Sequence, residues 1–464
     1  MTGTRRRATA SHAPPGSSCA SGPCRRTRSP RSCGAEAVRS RRASPGPRTR
    51  GRAAVPASSR DDRAFLHLWC ATGVSGLGDG VRFAAFALFA AVLTSDPLLV
   101  SLVTVAGQLP WLCVGPFAGV LVDRFDRRGT LWACDVARAA VMACFTVLTL
   151  LDRVDITTLT VTAFLLSSIE TLADNLSQAI TPEVIGSRSL DSANSWLFGG
   201  QFITSEFLGT PLGTLLFSMT YALPFTVDAV TFALSAALIL RIRGSGARPA
   251  PRTARPVVAD MADGVRRLLR HRVLRPLCLL MGMLNFAVLG VLGVAVLYAL
   301  EVLRVSQTTY GLLMTVVAVG GLIGLFVAPV LAARIGHGRT LLVAFALCPL
   351  PLVVGGATSD PLVAAAALLF VGVSVSLGNV VTTTVRQTLI PPGMFGRMNA
   401  AYRLFVNGLA PLGAFAGGIV AQQYSLRAPF YLAAAVCVLL VLAAPRLLRD
   451  LPKPAAPARV PSGE

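Results

Sequence analysis

The 464-residue chain is 53% hydrophobic and only 14% charged, with a mean hydropathy of +0.63. A soluble domain carries roughly a quarter charged residues, so this composition excludes a water-soluble protein and defines an integral membrane one. The net charge of +21 does not signal nucleic acid, because fourteen arginines against the single acid Glu36 place thirteen of those charges in residues 1–60.

That basic stretch is rich in Arg, Ser, Pro and Gly and lacks aliphatic periodicity, which predicts a disordered tail over 1–60. It does not read as a secretory signal, since no apolar core or small-residue cleavage site follows its basic residues before the first full-length span. A crossing helix needs about 20 mostly apolar residues. Twelve such runs occur, at 65–93, 98–122, 130–151, 156–180, 193–218, 221–242, 273–300, 308–333, 339–357, 361–388, 397–421 and 427–448.

The connections between them sort by charge. Odd-numbered gaps, such as Thr94 to Pro97 and Thr358 to Pro361, hold at most one arginine each; even-numbered gaps carry Arg124, Arg127 and Arg128, then Arg188, the cluster Arg241 to Arg275, Arg334 with Arg339, and Arg397. Arginine excess therefore alternates with each crossing, and both termini are expected in the cytoplasm, with a second tail at 449–464. The longest connection, 243–272, divides the chain into six-segment halves at 61–242 and 273–448. Within it Val257, Met261, Val265, Leu268 and Leu269 fall near helical spacing with arginines between, which predicts a short amphipathic helix at the cytoplasmic interface.

The halves resemble each other. Arg128-Gly129-Thr130-Leu131 matches Gly338-Arg339-Thr340-Leu341 at a shift of 210, and Thr210-Pro211-Leu212-Gly213 matches Ala410-Pro411-Leu412-Gly413 at a shift of 200. Internal duplication of this kind predicts an all-α fold of twelve helices in two pseudo-symmetric bundles. Cysteines and histidines are scattered without metal-ligand spacing, so no metal, cofactor or disulfide framework is expected. Neither a Gly-rich phosphate loop nor a Gly-x-Ser-x-Gly elbow is present, which argues against an enzyme.

Between the second and third segments the chain reads Gly119-Val120-Leu121-Val122-Asp123-Arg124-Phe125-Asp126-Arg127-Arg128. This closely resembles the signature loop of the major facilitator superfamily, Gly-x-x-x-Asp-Arg-x-Gly-Arg-Arg, with Asp126 standing in place of glycine. Gly78-Asp79-Gly80, Asp135-Val136-Ala137-Arg138, Glu170 to Asn175, and Arg386 to Pro391 followed by Gly396 to Arg403 extend the resemblance over nearly everything after residue 60. Together they look like the macrolide- and enterobactin-efflux branch, whose members are mostly proton-linked exporters of drugs or siderophores. Two departures stand out. The usual Gly-Pro-x-x-Gly-Gly run of the fifth segment is here Gly209-Thr210-Pro211-Leu212-Gly213-Thr214, and no arginine lies between Ile156 and Ile180.

Ionisable groups inside the spans are the candidate site, because each costs about 2.5–3.5 kcal/mol to insert at mid-depth. Asp79 and Arg82 share one helical face and form either a neutralising pair or a proton or substrate site. Glu170 and Asp174 are one turn apart, close enough to discourage simultaneous ionisation. Glu206 stands alone among Ile203, Phe207 and Leu208 and is read either as a cation-recognising group or as the partner of a polar group on a neighbouring helix. Asp228 and Glu301 are read as interfacial.

The superfamily resemblance implies gating roles for Gly119, Asp123, Arg124, Asp126, Arg127, Arg128, Asp135 and Arg138, taken to lie at the cytoplasmic ends of the second and third segments. Asp123 would face the start of the eleventh helix, and Arg124 or Arg128 would pair with Asp135 or Asp174. The leading expectation is a monomeric, multi-pass cell-membrane exporter of an amphipathic small molecule, driven by protons. A dedicated exporter of one siderophore or metabolite, or a non-transporting sensor of the same fold, are the alternatives. Its expected partners are the substrate, protons and the lipid bilayer, with no nucleic acid.

Overall fold

The architecture is taken from a computed structural model and described for residues 59–115, 126–184, 190–242, 257–390 and 394–448. The first half contains α1 (Ser59–Leu93), α2 (Pro97–Cys113), α3 (Arg127–Leu150), α4 (Ile156–Val184), α5, and α6 (Leu223–Leu240). Helix α5 runs Leu190–Phe202, passes through a π-helical stretch at Ile203–Gly209 and resumes over Thr210–Met219. Next come α7 (Val257–Arg270), α8 (Leu274–Leu292, ending after Ala295–Leu297 in a π-helical turn, Tyr298–Val302), α9 (Gln307–Ile335), α10 (His337–Ala346 and Pro349–Ala357), α11 (Pro361–Leu389), α12 (Phe395–Gln423) and α13 (Ala428–Leu447). Ten of these are long and apolar enough to cross a bilayer. The apolar α2 and the interrupted α5 complete twelve crossings.

Antiparallel succession gives the bundle two faces, named here for Asp96 and for Arg127. Starts on the Asp96 face repeat one device: Asp96 accepts from the Leu98 N–H at 2.8 Å and Asp360 from the Leu362 N–H at 2.8 Å, each just before a proline at the first helical position. An aspartate cap with proline behind it satisfies orphan donors where the chain turns back.

Lipid supplies no hydrophobic drive between helices, so close approach falls to small residues. A side chain on Gly80 would collide with the backbone of Ser205 and Gly209 on α5; one on Gly290 of α8 would meet Gly413 on α12. Gly290 lies 210 residues after Gly80, and Gly413 lies 200 after Gly213, which itself packs on Val81. The internal repeat is thus a repeat of helix contacts. Large exposed side chains such as Leu150, Phe326 and Leu362 face outward, as lipid requires.

The halves meet on the Asp96 face, where Gln422 of α12 donates to both Asp96 oxygens at 3.1 and 3.0 Å. Beside that bond Gly418 packs on Ser101, and Gly311 of α9 packs on Thr214 of α5. Behind this closure Phe86, Phe89, Phe145, Phe217 and Phe225 stack with ring centroids 4.9–6.2 Å apart. They form an apolar plug inside the first bundle.

A buried charge cluster as candidate functional site

One turn beyond the plug, on the Arg127 side, the first bundle becomes ionic. Arg82 of α1 is 8% exposed. Its Nη2 donates to Asp79 at 2.6 Å and to Glu170 of α4 at 3.0 Å, and its Nε lies 3.3 Å from Asp228 of α6. Arg138 of α3 is 4% exposed. It bonds Asp135, lies 3.8 Å from Asp79 and sits 4.3 Å above the Phe232 ring. Ser235 of α6 donates to the other Asp135 oxygen at 2.6 Å.

Four helices thus converge on two guanidinium groups. Lining residues Thr72, Ser75, Asp79, Asp174, Ser177 and Gln201 form a small, partly polar cavity. It runs from the cluster toward the Arg127 face, where Leu68 and Ile239 line its far end. With Asp174 in its wall, five carboxyl groups stand against two arginines. Among the described residues no group of three or more acids, histidines or cysteines is placed to hold a metal.

The structure brings Asp79, Arg82, Glu170 and Asp174 together. It adds Asp228, which had read as an interfacial group: the side chain is fully buried and neither oxygen has a hydrogen bond. A side chain at Gly78 would overlap Asp228, so the missing Cβ is what lets α1 close over this carboxyl.

Asp135 and Arg138 also need correction, from gate positions at a helix end to members of the buried cluster. Helix α3 begins at Arg127, and at 1.5 Å per residue Asp135 stands about 12 Å inside that start.

The loop residues divide. Gly119, Asp123 and Arg124 lie outside the described residues. Asp126 caps α3, accepting from the Gly129 N–H at 2.6 Å. Arg127 donates to the Ala179 carbonyl at 3.2 Å. Arg128 donates to Ile239 at 3.2 Å and also to Leu240, so it meets carbonyls at the end of α6 instead of Asp135 or Asp174. Terminal carbonyls have no partner within their own helix and attract cations. Asp126 therefore closes the start of α3, and Arg128 ties that start to the end of α6, both within one half.

Glu206 is not drawn into the cluster. It lies exposed in the π-helical stretch of α5, one turn beyond Phe202, whose ring is near enough to α9 that a side chain at Gly321 would touch it.

Twelve helices in two repeated bundles, with ionic groups buried at membrane depth, define a secondary transporter of the major facilitator type. The transmembrane secretion effector family matches residues 56–463, and the chain belongs to it. The chain is 25% identical over 383 residues to a multidrug efflux pump, Tap, of Mycolicibacterium fortuitum, covering 77% of this chain and 88% of the relative. It is 27% identical over 413 residues to Tap of Mycobacterium tuberculosis (strain CDC 1551 / Oshkosh), covering 84% and 94%. A macrolide efflux protein of Streptococcus pyogenes is 23% identical over 155 residues, 33% of this chain and 38% of that protein. Among solved structures, the nucleoside transporter NupG aligns with TM-score 0.65 at 11% identity, over 84% of this chain and 99% of that one. A bacterial homologue of the iron transporter ferroportin in an inward-facing state gives 0.63 at 18% identity, over 84% and 98%. These likenesses establish the fold.

Proposed function

We propose that the protein exports an amphipathic small molecule by proton antiport, alternating access to a mid-membrane site between the halves. The observation that carries the reading is the excess of carboxyl groups over arginines in the cluster, in a region whose cavity runs toward the Arg127 face. Buried acids that outnumber their cations are stable only if some hold protons. Asp228, fully buried with neither oxygen hydrogen-bonded and only Arg82 Nε beside it at 3.3 Å, is the clearest such group. A transporter whose acids release protons when its cavity takes substrate couples the two flows by competition.

Arginine distribution supports a cytoplasmic Arg127 face. On this reading the cavity of the first bundle runs toward the cytoplasm. The names of the relatives, multidrug and macrolide efflux pumps, support drugs or antibiotics as the substrate class and the cell membrane as the location. A dedicated metabolite exporter of the same fold is the second reading, favoured by the solitary Glu206.

The test is transport in proteoliposomes under an imposed pH gradient, with a panel of lipophilic cations and macrolides. Wild type moves at least one compound with the gradient, and Asp79→Asn loses the gradient dependence while remaining folded. Flux indifferent to both gradient and substitution overturns the antiport reading.

A further inference from the structure

Helix α7 is covered by protein on one side only. A side chain on Gly264 would collide with the Arg397 carbonyl at the start of α12, and Leu268 is buried in the core. Arg267 donates to Asp263 at 2.9 Å and to the Met394 sulfur at 3.3 Å. The other side carries Ala262, Arg266, Leu269 and Arg270, all exposed and all within an arc of about 100° on the helix. Leu269, 45% exposed, stands one turn after Val265, which packs on the core. The apolar stripe of α7 therefore runs past its protein contact and ends uncovered.

The turn into α8 continues the pattern. His271 caps that helix, its Nδ1 accepting from the Val273 and Leu274 N–H groups at 3.3 and 3.2 Å. Arg272 precedes the helix and Arg275 lies in its first turn, both exposed. Arg275 shares a face with Leu279, 54% exposed and one turn, about 6 Å, further along a membrane-crossing segment. That face meets lipid. Among the described residues no carboxylate lies within ion-pair distance of Arg266, Arg270, Arg272 or Arg275. The dipole of α7 favours a cation at its end, where Arg270 sits, but the dipole of α8 opposes Arg272 and Arg275 at its start.

We propose that the α7–α8 elbow binds an anionic phospholipid: Arg272 and Arg275 hold its phosphate, Arg266 and Arg270 flank it, and the acyl chains run along Leu269 and Leu279. Guanidinium groups suit phosphate because they grip two oxygens at once. A zwitterionic headgroup brings its own ammonium to that phosphate, so four unmatched arginines call for a headgroup of net negative charge. Uncovered leucines at the same level select a lipid over a soluble anion. Because α7 is seated on the start of α12, the bound lipid ties the central connection to the second bundle on the Arg127 face. The site lies outside the charge cluster and does not depend on how cargo and protons are coupled.

The test is equilibrium binding of radiolabelled dioleoylphosphatidylglycerol to the purified full-length protein in detergent micelles, with dioleoylphosphatidylcholine as the zwitterionic control. Each juxtamembrane arginine is worth about fivefold in affinity for an anionic lipid. Arg272→Gln/Arg275→Gln is therefore expected to weaken phosphatidylglycerol binding at least about tenfold and to leave the weak phosphatidylcholine binding unchanged. Arg334→Gln/Arg339→Gln removes the same charge from the α9–α10 turn and stays within about twofold of wild type. Soluble glycerophosphoglycerol, the same headgroup without chains, displaces nothing. Phosphatidylglycerol also slows amide hydrogen exchange over 257–270 in wild type, a readout that needs no variant. Equal affinity for the two lipids overturns the proposal, as does wild-type affinity in a folded Arg272→Gln/Arg275→Gln protein. So does an equal loss in Arg334→Gln/Arg339→Gln, displacement by the soluble headgroup, or exchange over 257–270 that both lipids slow alike.

Discussion

Arg82 is the residue on which the cluster balances, because it faces Asp79, Glu170 and Asp228 at once. Removing one partner of a buried ion pair typically costs about 3–5 kcal/mol, since the remaining charge is left uncompensated. Arg82→Met should therefore lower the detergent melting temperature by several degrees, and Arg82→Met/Asp228→Asn should recover part of that loss. An Arg82→Met protein as stable as wild type would show that the acids are already neutral. Ser235→Ala removes one hydrogen bond to an ionised group and should cost about 1.5–3 kcal/mol, visible as a smaller drop in the same melt. Most of these groups were legible in the sequence as charges within apolar runs. Asp228 was not, because it stands only five residues past the start of α6 and its burial depends on the glycine facing it from α1. Asp126 was legible as a departure from the signature loop, but its work as a cap shows only once the start of α3 is known.

Helices in this bundle are positioned by glycine, and α1 on α5 shows the point. Gly80 and Gly209 bring two backbones together beside the cluster, so Gly209→Val must push α5 away from α1. We expect loss of monodisperse protein or, in any folded remainder, loss of transport; a well-folded and active Gly209→Val would refute the role of that contact. The apolar runs made the spans readable, and α7 covers the stretch whose spacing pointed to a helix. The π-helical stretch around Glu206 left no mark in the sequence. Its extra residue per turn alters which side chains of α5 face α9, an outcome of packing that periodicity does not encode.

For the whole molecule, the two bundles divide the labour. The first carries the acid excess, whereas α11 and α12 of the second bring Arg386, stacked 4.1 Å over Tyr402, and Arg403. Closure of the Asp96 face rests on Gln422 and its neighbours, a small set of contacts that a rocking motion can break. Cysteines at both positions, Asp96→Cys/Gln422→Cys, should be bridged by a short disulfide-forming bifunctional thiol reagent and stop transport, with reduction restoring it. Full transport by the cross-linked protein would exclude opening on this face. The central claim is that cargo and protons compete for the first bundle, and it is tested most directly by counting protons. The compound identified in vesicles is added to purified protein in weakly buffered detergent solution with a pH indicator. The account predicts release of about one proton per molecule bound, lost in Asp79→Asn; saturable binding to wild type with no change in pH would contradict it.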